Sequence, residues 1–356
     1  MKHTLLTSLL VALLGSNLSV ALADAPNPQV IHFGMATVGK GGVPYSVDNT
    51  SELAHQLHTI EDELKADNIQ VEWHYFKGAG PAVNEALANQ QLDFSMQGDL
   101  PATIGKAGGL DTRLLATDRL LNSTYLVVPV DSPAKALKDL KGKRVALFKG
   151  TNLHLATLRT LGHEGFNERD FRFLNMDTAT ASAALASKDI DAGWYGPEAF
   201  ELQNRGLGRI IYDSAQVNDN LTRQAHVLVR GEFEREHPHV VQKVVNGLVK
   251  AAAWAADPNN RESALAMWAK SGTSIETLRE IHTGKSFVRN YSPRIDPFFI
   301  ARYRATVTEA KALRLIRGDI DVDQWIEPKY VDTAIEQLGF QALWPSYDAN
   351  NQPIPK

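Results

Sequence analysis

The chain contains no cysteine among its 356 residues. This absence excludes thiol catalysis, thiolate metal sites, disulfides and a lipid-anchoring cysteine. A chain of this length can bury a large enough core to fold without such cross-links. Long apolar runs are also scarce, and no stretch after the first twenty residues is long enough to span a bilayer.

A strong charge bias is missing as well. The 37 basic and 41 acidic side chains give a formal net charge of −4. This balance does not indicate nucleic acid or an anionic membrane surface as the partner. With 44% hydrophobic and 22% charged residues, the composition is that of an ordinary globular protein with two domains or one large one.

Catalytic motifs are absent too. Residues 39–42 lack P-loop spacing, and the chain has neither a GxGxxG turn after a strand nor a GxSxG elbow. His55 and His58 lie beside two acidic residues, but without an HExxH pattern they indicate a polar helix face. Residues 319–323 lack the glycine and glutamate of a calcium loop, so they predict a polar turn. We expect no enzyme, cofactor or metal.

The N-terminus has the pattern of a signal peptide. Lys2 precedes an apolar run from Leu5 to Leu14, and Ala21-Leu22-Ala23 supplies small residues for a peptidase. We therefore predict a cleaved signal peptide over residues 1–23. An exported chain without cysteine favours the bacterial periplasm.

An internal repeat is the most informative feature of the remaining chain. Residues 71–102 and 171–199 both predict strand, helix and strand, and Gly98 aligns with Gly196. Two such units predict two α/β lobes with mostly parallel sheets. Chance similarity is the alternative explanation.

Further elements complete this prediction. Apolar segments predict strands over 30–34, 69–76, 125–130, 144–148 and 226–230, and the valine–proline stretch 128–133 suggests a break near a hinge. A helix is predicted from residue 50 to about 65. More helices are predicted over 238–257, 261–270, 274–281, 297–315 and 328–338. We assign residues 24–127 and 230–356 to lobe I, and residues 128–229 to lobe II.

One helix start has the features of an anion site. Lys149-Gly150 predicts a turn after a strand, and Thr151 and Asn152 precede a helix that carries His154. Such a start presents free N–H groups and a positive dipole end, which suit a sulfonate, phosphate or carboxylate. Plain helix capping is the alternative. Similar turns occur at Gly98-Asp99-Leu100-Pro101, at Gly196-Pro197 and at Gly78-Ala79-Gly80-Pro81.

Three further side chains are candidates for ligand contact. Trp194 and Tyr195 end a predicted strand just before Gly196, where an aromatic pair could wall a ligand or pack between the lobes. Arg223 precedes another strand, and a guanidinium in a cleft would bind an oxyanion through two N–H groups. A surface position for Arg223 is equally compatible with the sequence.

Four stretches resemble a known family: EALANQQLDFSMQGDLPA, VVPVDSPAKALKDLKGKRVALFKGTNLH, AALASKDIDAGWYGPEA and REHPHVVQKVVNGLVKAAAWAAD. Over residues 30–340 the chain resembles the periplasmic aliphatic-sulfonate-binding proteins of ABC importers, whose relatives bind taurine, nitrate and bicarbonate. The resemblance implies a type II periplasmic-binding fold with two crossovers between lobes. It also implies that the ligand's acid group lies among Thr37, Gly98, Asp99, Thr151, Asn152 and His154, with Trp194 across the cleft.

The expected function is therefore capture of a small organic anion between the lobes and delivery to a membrane permease. We expect a monomer that binds neither nucleic acid nor a cofactor. Two departures from the family pattern affect the pocket: the longer loop Met35–Pro44, and Trp194-Tyr195-Gly196-Pro197 in place of Trp-Asp-Pro. Nitrate, phosphonate and sulfate esters are alternative ligands. Enzymes of thiamin-precursor synthesis share the fold but use a cysteine-rich motif, and a sensor subunit is a third alternative.

Overall fold

The computed structural model describes residues 26–355. The predicted signal peptide, residues 1–23, lies outside the described residues. The strands are β1 (Val30–Met35), β2 (Gln70–Tyr75), β3 (Phe94–Gly98), β4 (Thr112–Asn122), β5 (Tyr125–Pro129), β6 (Arg144–Leu147), β7 (Arg172–Asn175), β8 (Ala192–Tyr195), β9 (Gly208–Asp213) and β10 (Arg223–Arg230).

The helices surround these strands and dominate the last third of the chain. They are α1 (Thr50–Leu57), α2 (Thr59–Leu64), α3 (Ala79–Ala88), α4 (Asp99–Ala107), α5 (Asn152–His163), α6 (Thr178–Ala186), α7 (Glu198–Asn204), α8 (Ser214–Val217), α9 (Gly231–Glu236), α10 (Pro238–Ala256), α11 (Arg261–Ala269), α12 (Ile275–Ile281), α13 (Phe287–Asn290), α14 (Pro297–Ala312), α15 (Val322–Trp325) and α16 (Lys329–Gln337). Within residues 26–355, none is both long and apolar enough to cross a membrane.

Two five-stranded sheets form the two lobes. Their strand orders are β2-β1-β3-β10-β4 and β7-β6-β8-β5-β9. In each sheet four strands point the same way, and one strand, β10 or β5, runs against its neighbours. The expected α/β fold with two lobes and mostly parallel sheets is confirmed.

The antiparallel strands are those that enter a sheet from the other lobe. The chain leaves the first sheet after Asn122 and enters the second at Tyr125; it leaves the second after Asp213 and returns at Arg223. Each crossing starts at the carboxyl ends of the parallel strands, so the entering strand must run back against them. β5 and β10 therefore begin at the edge between the lobes, where parallel sheets bind ligands.

These crossings differ from the expected positions. The stretch 128–133 does not lie at a crossing, because the apolar residues of β5 pair with β8 and β9 inside the second sheet. Strand β10 starts three residues earlier than predicted and belongs to the first sheet. The division of the chain into lobe I (residues 24–127 and 230–356) and lobe II (residues 128–229) stays a proposal. In the structure, the chain passes between the two sheets at residues 123–124 and 214–222.

The internal repeat corresponds to two strand–helix–strand units, β2-α3-β3 and β7-α6-β8. Asp177 caps α6 by accepting a hydrogen bond from the Thr180 N–H at 2.8 Å. Pro81 is the third residue of α3, which starts at Ala79. Local signals thus identified both units.

The helix predicted over 50–65 is two helices. His58 adopts a left-handed backbone, with φ of 56°, between α1 and α2. Residues 319–321 form an irregular segment, Asp321 caps α15, and Asp323 in the first turn of that helix pairs with Arg304.

The long helix α10 packs against the first sheet. Its buried valine face, which includes Val241, Val244 and Val245, lies in the core of the first lobe. This helix follows the return strand β10, so the C-terminal third of the chain completes the lobe that the N-terminal strands began.

Candidate functional site

Four helices start at the edge where the lobes meet. α3, α4, α5 and α7 follow the carboxyl ends of β2, β3, β6 and β8, and a glycine turn precedes each helix or forms its cap. Each helix start carries unpaired N–H groups and a positive dipole end, which contribute a positive potential to this edge.

Three of these helix starts are in contact across the lobes. A Cβ atom on Gly98 would lie 2.5 Å from the Cβ of Asn152, and a Cβ on Gly150 would lie 3.3 Å from Pro81. Real Cβ atoms do not approach other carbons as closely as 2.5 Å, so only glycine at position 98 permits this approach of the two backbones. We call Gly98, Gly150, Asn152, His154 and Arg223 the interlobe cradle.

Arg223 lies at the start of β10, and it is buried with 7% of its surface exposed. Its guanidinium donates to the Ser123 carbonyl at 2.7 Å, to Asn152 Oδ1 at 3.3 Å and to Asn122 Oδ1 at 3.5 Å. Asn152 belongs to the second lobe, so Arg223 bridges the lobes. This position rules out a surface location for Arg223.

The guanidinium has only neutral hydrogen-bond partners. Within residues 26–355, no carboxylate oxygen lies within the 4.0 Å of an ion pair with Arg223. Glu198 is near, since a Cβ on Gly196 would lie 3.0 Å from the arginine and 3.3 Å from the glutamate. Burial raises the pKa of Glu198 and lowers the pKa of Arg223. A buried cation without a bonded anion favours an anionic ligand at this place.

His154 has a defined tautomer. The Gly150 N–H donates to its Nδ1 at 3.2 Å, while Nε2 is buried without a partner among the described residues. Burial lowers the pKa of His154, so the ring is neutral at pH 7 and carries its proton on Nε2. Nε2 is therefore an unused buried donor at the start of α5, a further feature suited to an oxyanion.

Thr151 occupies the N-cap position of α5, as predicted, but its side chain does not cap the helix. Its hydroxyl donates instead to the Phe148 carbonyl at 2.8 Å. The amides of the first turn thus keep their N–H groups free of side-chain capping. Plain capping, the alternative explanation for this segment, is not what the geometry shows.

Asp99 and Leu100 contribute differently from the other helix-start residues. Asp99 is buried, and its carboxylate accepts from the Leu100 N–H at 2.8 Å. Burial raises the pKa of Asp99, while Arg159 and Arg302 lower it from a distance. The Leu100 side chain packs with Leu155 in an apolar cluster. At the start of α4, the Leu100 N–H therefore already donates to the Asp99 carboxylate and is not free to bind a ligand.

Thr37, Trp194 and Tyr195 are the remaining candidates for ligand contact. Thr37 is half-buried in the loop after β1, whose first amide, Ala36 N–H, donates to the Met96 carbonyl at 3.0 Å. Trp194 and Tyr195 are 1% and 0% exposed and pack in different apolar clusters on opposite faces of β8. The structure does not bring them together as one aromatic wall, because neighbouring strand residues point to opposite faces. Their contact with a ligand stays a prediction.

Sequence reasoning missed three residues around Arg223. Asn122 ends β4 and Ser123 follows it, and both accept hydrogen bonds from the guanidinium. Glu198 follows the Gly196-Pro197 turn directly. The position of Glu198 next to a predicted turn could have identified it from the sequence. The crossing that brings Asn122 and Ser123 to Arg223 has no local sequence pattern.

A surface pocket lies elsewhere and does not belong to this site. Its lining includes Asp131, Lys143, Lys188 and Asp191. Lys143 and Asp191 directly precede β6 and β8, so the pocket lies at the amino ends of these strands. The cradle lies at their carboxyl ends, at the opposite edge of the sheet.

Relatives of the chain include binding proteins and an enzyme. A protein of Bacillus subtilis (strain 168) proposed to bind aliphatic sulfonates is 28% identical over 203 residues, which are 57% of this chain and 60% of that protein. The alignment thus spans less than two thirds of that relative. The taurine-binding periplasmic protein of Escherichia coli (strain K12) is 25% identical over 244 residues, 67% of this chain and 72% of that protein. A 2'-hydroxybiphenyl-2-sulfinate desulfinase of Rhodococcus erythropolis is 25% identical over 64% of this chain and 75% of the enzyme.

Solved structures share the fold. A periplasmic protein of Methylobacillus flagellatus KT, proposed to bind sulfonates for an ABC transporter, superposes with a TM-score of 0.78 at 29% identity, covering 91% of this chain and 98% of that chain. The nitrate-binding protein of Synechocystis PCC 6803 shares the fold at 14% identity, with a TM-score of 0.65, covering 92% of this chain and 95% of that chain. The expected periplasmic-binding fold is confirmed.

The family assignment rests on the middle of the chain. Residues 65–261 match the family model described as NMT1/THI5 like. This segment includes the second sheet, both crossings and every residue of the interlobe cradle. Because the match covers more than half of the chain, the protein belongs to the NMT1/THI5-like family.

Proposed function

We propose that the protein is the solute-binding component of an ABC importer and captures a small organic anion, an aliphatic sulfonate, between its lobes. The observation that carries this proposal is Arg223, a guanidinium buried between the lobes whose hydrogen-bond partners are all neutral. An anion there would supply the missing charge and so gain more binding energy than a neutral solute.

The cradle suggests how the anion is held. Asn152 Oδ1 now accepts from Arg223 at 3.3 Å, and this amide oxygen stands in for one ligand oxygen. A sulfonate would displace it and accept further hydrogen bonds from the first amides of α5 and from His154 Nε2. We propose that these groups bind the anion without reacting with it.

The choice of a sulfonate is supported by the relatives. Those named for sulfonates and taurine are binding proteins, and the desulfinase acts on a sulfinate, another organic sulfur oxyanion. This chain has no cysteine that could act as a nucleophile. A binding role without catalysis is therefore our proposal, with nitrate, phosphonate or a sulfate ester as the alternative ligand.

The setting follows from this role. We propose that residues 1–23 direct export to the periplasm, that the mature chain works as a monomer, and that an inner-membrane ABC permease receives the ligand. Closure of the lobes on the ligand would shift an open–closed equilibrium by the difference in its affinity for the two states.

Native mass spectrometry and thermal unfolding test the proposal. A C2–C6 alkanesulfonate series should produce a one-to-one adduct and stabilise the protein by about 2.7 kcal/mol at a hundredfold excess over Kd. Matched carboxylates, phosphonates and nitrate identify the preferred oxyanion. If no sulfonate, sulfate ester or related anion shifts the melting temperature, the proposal fails.

A separate arm tests for chemistry. Candidate sulfonates and sulfinates are incubated with the purified protein, and release of sulfite is measured. We expect none above the rate without protein. Turnover would overturn the binding-only role and favour a desulfinase-like activity.

A further inference from the structure

A cluster of metal-ligating side chains lies on the outer face of the first sheet, away from the cradle. It consists of His32 on β1 and of Glu72 and His74 on β2. Within residues 26–355, this is the one group of three histidine or acidic side chains whose ligand atoms all lie within 4.8 Å of one another. No local sequence signal indicates the complete group, since His32 lies about forty positions before Glu72 and His74.

The strand register explains the grouping. β1 and β2 are parallel, and His32 pairs with Glu72 while Gly34 pairs with His74. Glu72 and His74 share one face of β2 because they are two residues apart. The opposite face turns inward, where Trp73 packs on Phe33 with ring centroids 4.5 Å apart.

Three distances define the geometry of the cluster. His32 Nδ1 lies 3.1 Å from His74 Nε2 and 3.4 Å from Glu72 Oε2, and the last two atoms are 3.9 Å apart. A circle through three points with these separations has a radius of about 2.0 Å, the usual bond length from zinc to histidine nitrogen or carboxylate oxygen. An ion in the plane of the three atoms could therefore reach all of them, and rotations of the side chains, without any movement of the strands, would make the site tetrahedral.

The donor set and its exposure also suit a metal. Two imidazoles with one carboxylate are a known zinc ligand set, which leaves a fourth position for water. The three side chains are 39%, 55% and 39% exposed, so an ion can enter from solution. A hydrogen bond between the imidazoles, with the exposed carboxylate hydrated beside them, is the competing explanation. Metal titration distinguishes this explanation from a metal site.

We propose that His32, Glu72 and His74 bind zinc or a similar divalent transition ion, with water completing the coordination. β2 is an edge strand of the sheet, and the ion would cross-link it to β1. The site is independent of anion capture, and its role would be to stabilise the first lobe, since a ligand selective for the folded state raises its stability.

Metal titration tests this proposal on mature protein without a polyhistidine tag, after treatment with a chelator. We expect one equivalent of Zn²⁺ to bind by calorimetry, and Co²⁺ to give the visible absorption of a four- or five-coordinate site with nitrogen ligands. Zinc should also raise the melting temperature, and it should do so with or without a sulfonate.

Variants assign the site. The double variant His32→Ala/His74→Ala should lose the one-to-one step and the cobalt spectrum. The matched control His163→Ala/His239→Ala removes two exposed histidines elsewhere. It should keep both the one-to-one binding step and the cobalt spectrum. Glu72→Gln is a milder change at the most exposed ligand, and it should weaken zinc binding with the fold intact. Absence of stoichiometric binding, or equal binding by the two double variants, would overturn the proposal.

Discussion

Arg223 is the residue on which the binding site depends most. It combines burial, a position between the lobes and hydrogen bonds to neutral groups alone. Keeping a charge out of water without a bonded counter-ion costs several kcal/mol. The free protein carries this cost, and a bound anion would remove it.

Replacement of Arg223 should separate binding from stability. Arg223→Met should weaken sulfonate binding roughly 10–100-fold, because charge-assisted hydrogen bonds contribute about 1.5–3 kcal/mol. Without ligand, its free energy of unfolding should change by less than about 1 kcal/mol, since loss of the unpaired charge offsets the lost hydrogen bonds. Calorimetry and urea denaturation measure the two effects.

Two further variants complete this experiment. Arg223→Lys keeps the charge but not the planar fork, so its affinity should lie between those of wild type and Arg223→Met. Arg209→Met is the matched control, because Arg209 also donates to carbonyls, those of Ser132 and Ala134, but at the far end of the second sheet. Equal losses of affinity in the variants at 209 and 223 would contradict a direct role for Arg223.

At the scale of elements, the long loop after β1 connects the lobes. Lys40 Nζ lies 2.6 Å from Glu201 Oε2 on α7 of the second lobe. The same loop is held to the first lobe by the Lys40 N–H, which donates to the Ser271 carbonyl at 2.8 Å. This loop thus supplies an interlobe ion pair.

Loss of this ion pair should loosen the closed form. Lys40→Ala should lower sulfonate affinity by up to about 5-fold, mainly through faster dissociation, since a partly exposed pair contributes about 0.2–1 kcal/mol. Stopped-flow measurements at low and high salt give the rate of sulfonate release. Salt should reduce the difference in this rate between Lys40→Ala and wild type. Lys188→Ala, which breaks the exposed pair with Asp131 inside the second lobe, is the control. Identical release rates for Lys40→Ala and wild type at low salt would refute the interlobe role.

For the whole molecule, the return strand makes stability depend on pH. His226 on β10 is fully buried against Tyr303 and Trp325. Burial lowers its pKa to about 3, whereas the unfolded chain titrates near the ordinary value of 6.5. Below pH 6.5 the unfolded state therefore binds a proton that the folded state does not, and stability falls as the pH decreases toward 3.

The contribution of His226 is measurable as a difference. Unfolding free energies of wild type and His226→Asn are compared at pH 7, 6, 5 and 4 by urea denaturation. As the pH is lowered, the free energy of unfolding of wild type should decrease by up to about 1.4 kcal/mol per pH unit more than that of the variant. The comparison with a variant is needed because other buried groups also titrate in this range. Burial raises the pKa of Glu52 to about 7 and that of Asp118 to about 6. These two carboxyl groups make the folded state more stable as the pH falls, which is opposite to the effect of His226. Parallel pH profiles would refute this assignment, and His239→Asn, at an exposed position, should follow wild type.

Much of the fold could be predicted from the sequence. The strand–helix–strand repeat, the helix that begins at Pro238 and the turn before Asn152 were identified from apolar spacing, proline and glycine. These signals suffice because a strand or helix depends on residues close together in the chain. The glycine turns also indicated where helices follow the strands at one edge of each sheet.

The tertiary structure alone decided which distant residues meet. An apolar stretch such as β5 suits either sheet, so only pairing with β8 and β9 placed the crossing before Tyr125. The same crossing buried Arg223 against Ser123 and Asn152, and strand register brought His32 to Glu72. Local conformation follows from neighbouring residues, whereas burial and charge pairing depend on chain segments separated by tens of residues.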